Sequence, residues 1–250
     1  MEINVHTLAS GPFSAGGIKL TFSTHASPPP SVAAQLDMRW TDYLHEAQRD
    51  GRMLFNSPVA FLKSCAVAGG MLHLELAPTD YKTFLVTTLR DRAWFETHCP
   101  AAITPALGNS IVLTHQGVAY LGMRAAAVAA YPRRAHLFGG VLDWPVNRVD
   151  DSSVLLDHLD REMTEELGLT EHDLAAPPRA LAVLRDPVLA QPELVWHGEL
   201  LKPLTVNCHA LDAREHDHIL ALPLEDREMF TNRATPVAGA VLRMLRQQRI

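Results

Sequence analysis

Glu162, Glu165 and Glu166 fall within five consecutive positions of the chain. Wound as a helix at about 100° per residue, the three carboxylates share an arc of about 100°. Like charges three and four residues apart repel by tenths of a kcal/mol, and a cation seated among them removes that repulsion. Oxygen-rich sets of this kind suit Mg²⁺ or Mn²⁺, so binding of a divalent cation is the chemistry this spacing suggests. Taken bare, the same run also fits a solvated acidic face on an amphipathic helix.

The elements that must position these acids can be read around them. Leu155, Leu156, Leu159, Met163 and Leu167 occupy the arc adjoining the carboxylates, so a helix over 154–167 packs one stripe on a sheet while its neighbour looks along the packing edge. Asp150, Asp151 and Ser152 supply capping side chains, and Gly168 supplies the stop. Upstream, the runs 110–114 and 118–122 flank His115-Gln116-Gly117 as a β-hairpin. The strand-like run 137–143 then carries Gly139-Gly140, which lets the backbone approach something closely.

The chain has 250 residues, 47 % of them hydrophobic and 20 % charged, enough for a sizeable core and inconsistent with disorder throughout. With 22 Lys+Arg against 28 Asp+Glu the formal charge is −6, so nucleic acid and anionic membranes are not expected partners. No apolar run approaches the roughly 18 residues of a membrane helix, and the N-terminus lacks a signal-peptide layout, so a cytoplasmic protein is expected. Cys65, Cys99 and Cys208 are odd in number and form no CxxC pair, and they read as reduced buried thiols. His216 and His218 flank Asp217 but offer too few ligands for a zinc site.

Character changes near residue 100. Residues 1–104 read as an N-terminal α+β region: a strand over 18–23, a helix over 32–48, strands over 59–67 and 71–76 joined at Gly69-Gly70, and a short helix from about Asp80. The stretch 100–105 leads into a second unit, 105–250. Strands over 179–184 and 194–201 and a helix over 236–247 complete it.

The string Arg161-Glu162-Met163-Thr164-Glu165-Glu166-Leu167-Gly168-Leu169, preceded by Gly139-Gly140, resembles the second half of the signature box of the Nudix hydrolases, matching all seven of its specified positions. The first half departs from that pattern. Gly140 precedes Arg161 by twenty-one positions where the family has fourteen, and the first box Glu is absent: Ser153 or Val146 stands there, depending on the direction of counting. Asp143, Asp150 and Asp151 are the acids left to cover part of its role. In the N-terminal region, Leu54-Phe55-Asn56-Ser57 and the segment Tyr81 to Thr88 are similar to segments of the animal UDP-sugar diphosphatases of the same family.

The resemblance implies an α/β/α sandwich around a mixed sheet, an α/β (α+β) class of fold, with the N-terminal α+β extension added to it. It implies a hydrolase that cleaves the diphosphate of a nucleoside diphosphate linked to another group, with a UDP-sugar as preferred substrate and UMP and sugar 1-phosphate as products. ADP-ribose, coenzyme A, a nucleoside triphosphate, and a nucleotide-sensing module without turnover are the alternatives. Glu162, Glu165 and Glu166 would bind Mg²⁺, or Mn²⁺, with the Gly139 carbonyl as a further ligand, and Glu162 is also a general-base candidate. Arg161 would hold the carboxylates in place. Glu193, with Asp186 second, is the expected additional acidic ligand from beyond the helix. Arg124 is a candidate for phosphate contact, Gly140 for substrate contact, and Tyr81, Phe138 and Trp144 for stacking on base or sugar. The expected partner is a small nucleotide, and a homodimer is compatible with this reading.

Overall fold

A computed structural model describes residues 4–145, 152–205, 211, 214–225 and 233–247. Asp150, Asp151, Val146 and Cys208 lie outside the described residues. The strands are β1 (His6–Phe13), β2 (Ile18–Phe22), β3 (Pro58–Ala68), β4 (Met71–Asp80), β5 (Gly108–His115), β6 (Val118–Arg124), β7 (Ala135–His136), β8 (Phe138–Val141), β9 (Arg179–Arg185), β10 (Pro192–Glu199) and β11 (His216–Pro223). The helices are α1 (Pro30–Arg49), α2 (Tyr81–Phe84), α3 (Arg92–His98), α4 (Ser153–Leu167) and α5 (Pro236–Gln247), with a π-helical turn at Leu85–Arg90 joining α2 to α3.

Alternation along the strands decides the layering, because successive side chains point to opposite faces. On β5, Ile111 and Leu113 face one core and Val112 the other; on β10, Leu194 and Trp196 oppose Val195 in the same way. The first face buries Leu155, Leu159, Met163 and Leu167 of α4, and the second buries Val237, Val241, Leu242 and Leu245 of α5. The result is a mixed α+β sandwich around a sheet ordered β1-β9-β10-β5-β6-β11, with β8 on β5 and β7 on β6. Only the β10–β5 pair among these is parallel.

The smaller sheet, β2-β4-β3, joins the α4 side of the core through Leu20, Leu72, Leu74 and Leu76. Backbone bonds from Ala60 to Leu142 and from Leu107 to Ala60 stitch it to the strands that carry the glycines. Although β1 comes from the N-terminal region, it forms the edge of the large sheet against β9. Residues 85–98, β1 and β11 are elements that the hydrophobic pattern had not delimited. No helix among the described residues is long and apolar enough to cross a membrane. Cys65 and Cys99 are free thiols and are half-buried rather than buried.

Candidate metal centre on the acidic helix

Two polar anchors fix α4 against the sheet. Asn109, fully buried on β5, donates through Nδ2 to the Leu155 carbonyl at 2.8 Å and accepts from Trp196 Nε1 at 2.8 Å. His158 reaches the Val141 carbonyl on β8 through Nε2 at 3.0 Å. Burial lowers the His158 pKa below its ordinary value, favouring the neutral ring as donor there. At the far end Gly168 takes the left-handed conformation, φ 67° and ψ 23°, and Leu169 N–H closes on Met163 O at 3.2 Å, the geometry of a glycine-terminated helix. At the near end Ser152 makes no side-chain capping bond, and its carbonyl receives Leu155 and Leu156, while Asp150 and Asp151 lie outside the described residues.

These anchors press Glu166 against β8. Its side chain is buried, and Oε2 accepts the Gly139 N–H at 3.1 Å. At Gly139 φ is +123°, and a Cβ there would run into the Asn109 carbonyl oxygen, so only glycine lets β8 come this close to β5. Among the described residues, Glu166 Oε1 is buried without a hydrogen-bond partner. Burial, then the charges of Glu215 and Glu162, raise the Glu166 pKa well above the carboxylate range.

The remaining members of this group come from β11 and the residue before it. His216 Nε2 lies 3.3 Å from Glu166 Oε2, and one ligand atom each from Glu166, Glu215 and His216 lies within 4.8 Å of the others. A bulge between His216 and His218 in the β11–β6 pairing turns His216 inward and leaves Asp217 and His218 exposed. The ring has room because Gly122 on β6 has no side chain; a Cβ there would collide with the imidazole. Phe138 packs edge-on against the same ring, with centroids 5.5 Å apart.

Among the three box acids, the environments diverge. Glu162 sits beside Gly140, where a Cβ would come within 3.0 Å of its Oε2, and Arg161 donates to it at 3.2 Å. Burial raises the Glu162 pKa, and the neighbouring Arg161 lowers it. Arg161 also donates to Asp143 at 2.8 Å, so an acid just after β8 is tied to the helix through this arginine. Glu165 stays 62 % exposed, with only a long 3.9 Å approach to Arg161, and does not join the group around Glu166.

A second cluster adjoins this one. Arg124, largely enclosed at the end of β6, donates through Nε to the Ala130 carbonyl at 2.9 Å. Its charge is felt by Glu215, Glu193, Glu166 and Tyr81. Glu193, buried at the start of β10, faces Arg124 and His136, whose Nε2 is 3.4 Å away, rather than entering the Glu166 group. Burial pushes the Glu193 carboxyl up to about 7, although the Ser110 hydroxyl and Arg124 pull it down.

Four further sequence candidates are occupied in other ways. Asp186 is buried with both oxygens engaged, by the Tyr131 hydroxyl at 2.8 and 2.9 Å and by the Val188 and Leu189 amides at 2.8 Å, so it closes its own turn and stays outside the Glu166 group. Phe138 is fully buried and presents no face to a base or sugar. Trp144 stands edge-on to Phe22 at 5.7 Å, joining the small sheet to the segment after β8. Tyr81 lies near Arg124 and Glu215 while its ring packs against Trp40 and Phe84. Glu215, His136 and Asn109 went unread in the sequence, because nothing in local spacing marks residues that meet across the sheet.

No family model matches the sequence, and no curated protein does. Among solved structures, the NUDIX domain of Shewanella oneidensis NrtR, complexed with ADP ribose, is 14 % identical with a TM-score of 0.45, over 64 % of this chain and 99 % of that one. The MutT NUDIX hydrolase of Burkholderia pseudomallei is 20 % identical with a TM-score of 0.39, over 55 % of this chain and 97 % of that one. An ADP-ribose pyrophosphatase of Streptococcus suis is 17 % identical with a TM-score of 0.36, over 59 % of this chain and 94 % of that one. The chemistry of the site rests on its own residues.

Proposed function

We propose that the chain is a divalent-cation-dependent hydrolase of the Nudix kind, cleaving the diphosphate of a nucleoside diphosphate linked to a second group. The observation that carries this reading is Glu166: a buried carboxylate with one oxygen unmatched, beside Glu215 and His216 and repelled by Glu162. A buried anion is costly unless a cation compensates it, and the donor set present, two carboxylates and an imidazole, fits a divalent ion. Mg²⁺ or Mn²⁺ is the expected ion, with the Gly139 carbonyl as a further oxygen. When bound, such an ion lowers the pKa of a water and offsets charge on phosphoryl oxygens.

The protein's own groups complete the arrangement. Arg124 brings positive charge toward the acidic group from the β6 side, where a diphosphate would need it. Glu162, its pKa raised by burial and its position held by Arg161, is suited to take a proton from the attacking water. Water adds to one phosphorus, the bridging P–O bond breaks, and the second phosphate leaves with its substituent. A UDP-sugar, giving UMP and sugar 1-phosphate, is the first substrate to try, and ADP-ribose the second.

The test is phosphate release in a phosphatase-coupled assay with UDP-glucose, ADP-ribose, coenzyme A and nucleoside triphosphates, on wild type and Glu166→Gln together. Hydrolysis that needs the divalent ion and disappears in the variant supports the reading. Folded, ion-loaded protein that binds a nucleotide and hydrolyses none of the panel replaces it with a nucleotide-sensing module.

A further inference from the structure

The imidazole in the acidic group is the feature that the box residues do not explain. The Nε2–Oε2 separation of 3.3 Å between His216 and Glu166 is long for a charge-assisted hydrogen bond, which runs about 2.7–2.9 Å. Two donor atoms bonded at about 2.1 Å to one ion, at angles of 90–109°, stand about 3.0–3.4 Å apart, and the observed separation lies within that interval. The ring is also built in: Gly122 clears its space, the β11 bulge turns it inward and Phe138 abuts its edge. Glu166 Oε1, buried and unmatched, lies in the same group as a ready third donor atom.

We propose that His216 is a nitrogen ligand to the cation held by Glu166 and Glu215, and that it gives the centre a preference for first-row transition ions such as Mn²⁺ and Co²⁺ over Mg²⁺. The inference rests on the metal-site part of the function proposed above. Mg²⁺ is a hard ion that favours oxygen ligands and dehydrates reluctantly, whereas imidazole binds more strongly along the series from Mn²⁺ toward Cu²⁺. An all-carboxylate set would discriminate less. Replacing one oxygen position by a fixed ring nitrogen therefore changes which ion is held, without changing the reaction.

The experiment uses the full chain, stripped with chelator and loaded with one equivalent of Mn²⁺, and reads pulsed electron paramagnetic resonance. Wild type is expected to show ¹⁴N modulation that becomes a ¹⁵N pattern when only histidine is ¹⁵N-labelled. The modulation persists in His136→Gln and is lost in His216→Gln, where Mn²⁺ affinity falls by about tenfold or more and Mg²⁺ affinity changes far less. Because His216 is buried, its variant can fail to fold; the labelled wild type and His136→Gln then decide. Mn²⁺ bound without histidine coupling, or with coupling lost in His136→Gln, overturns the inference and leaves the carboxylate site standing. No Mn²⁺ binding overturns the metal reading itself.

Discussion

Replacing Glu193 by Gln removes a charge from a place where the fold resists it. The carboxyl is raised from 4.5 to about 7, burial being the first cause and Asp186 a lesser one, with Ser110 and Arg124 acting in the opposite direction. Between those pH values the unfolded chain is ionised at this position while the folded chain keeps the proton. The folded state then binds more protons, and stability falls as pH rises through the interval. At about 1.4 kcal/mol per pH unit the loss approaches about 3 kcal/mol by pH 7 and is constant above it. Gln carries no charge, fills the same space and can still accept from Ser110. Urea unfolding in chelator at pH 4.5, 6, 7 and 8 is expected to give equal stabilities at the lowest pH and a Gln variant more stable by about 2–3 kcal/mol at pH 8. A difference that does not change with pH, or a variant less stable at pH 8, would refute the reasoning.

Three further outcomes follow from the same contacts. Without metal, Glu166→Gln is expected to raise stability by about 1 kcal/mol or more, or about 2–4 °C in Tm, because the raised pKa marks a charge that burial opposes; a lower Tm in chelator would make this acid structural. Gly122→Ala places a Cβ in the His216 ring and is expected to cost about 1–3 kcal/mol in urea unfolding and to weaken Mn²⁺ binding; unchanged values would show that the ring moves aside freely. Asn109→Ala leaves the Trp196 N–H buried without its partner and removes the side-chain bond to the Leu155 carbonyl, and is expected to cost about 1–3 kcal/mol, so a loss under about 0.5 kcal/mol would mean that α4 is seated by its apolar stripe alone.

What could be read in the sequence was local. The leucine stripe of α4, its Gly168 stop, the 110–122 hairpin and the helix over 236–247 are set by periodicity and turn residues within a few positions, and each appears where the pattern put it. The site is different, since Glu166 meets His216 only because α4 and β11 are brought together by the sheet. Asp186 shows the converse: an acid in a promising loop whose oxygens are taken by Tyr131 and its own turn, which spacing cannot reveal. Gly139-Gly140 stood out in the sequence, and the structure gives the reason in the close passage of β8 between β5 and the α4 carboxylates.

Calorimetric titration of the chelator-stripped chain with Mn²⁺ and with Mg²⁺, on wild type and Glu166→Gln, tests the central claim most directly. If Glu166, Glu215 and His216 hold a cation, wild type binds one tight equivalent and the variant, still folded, binds none at the same concentration. Equal binding by both proteins would place the ion elsewhere, and no binding by either would leave the acidic helix without the cation on which the function depends.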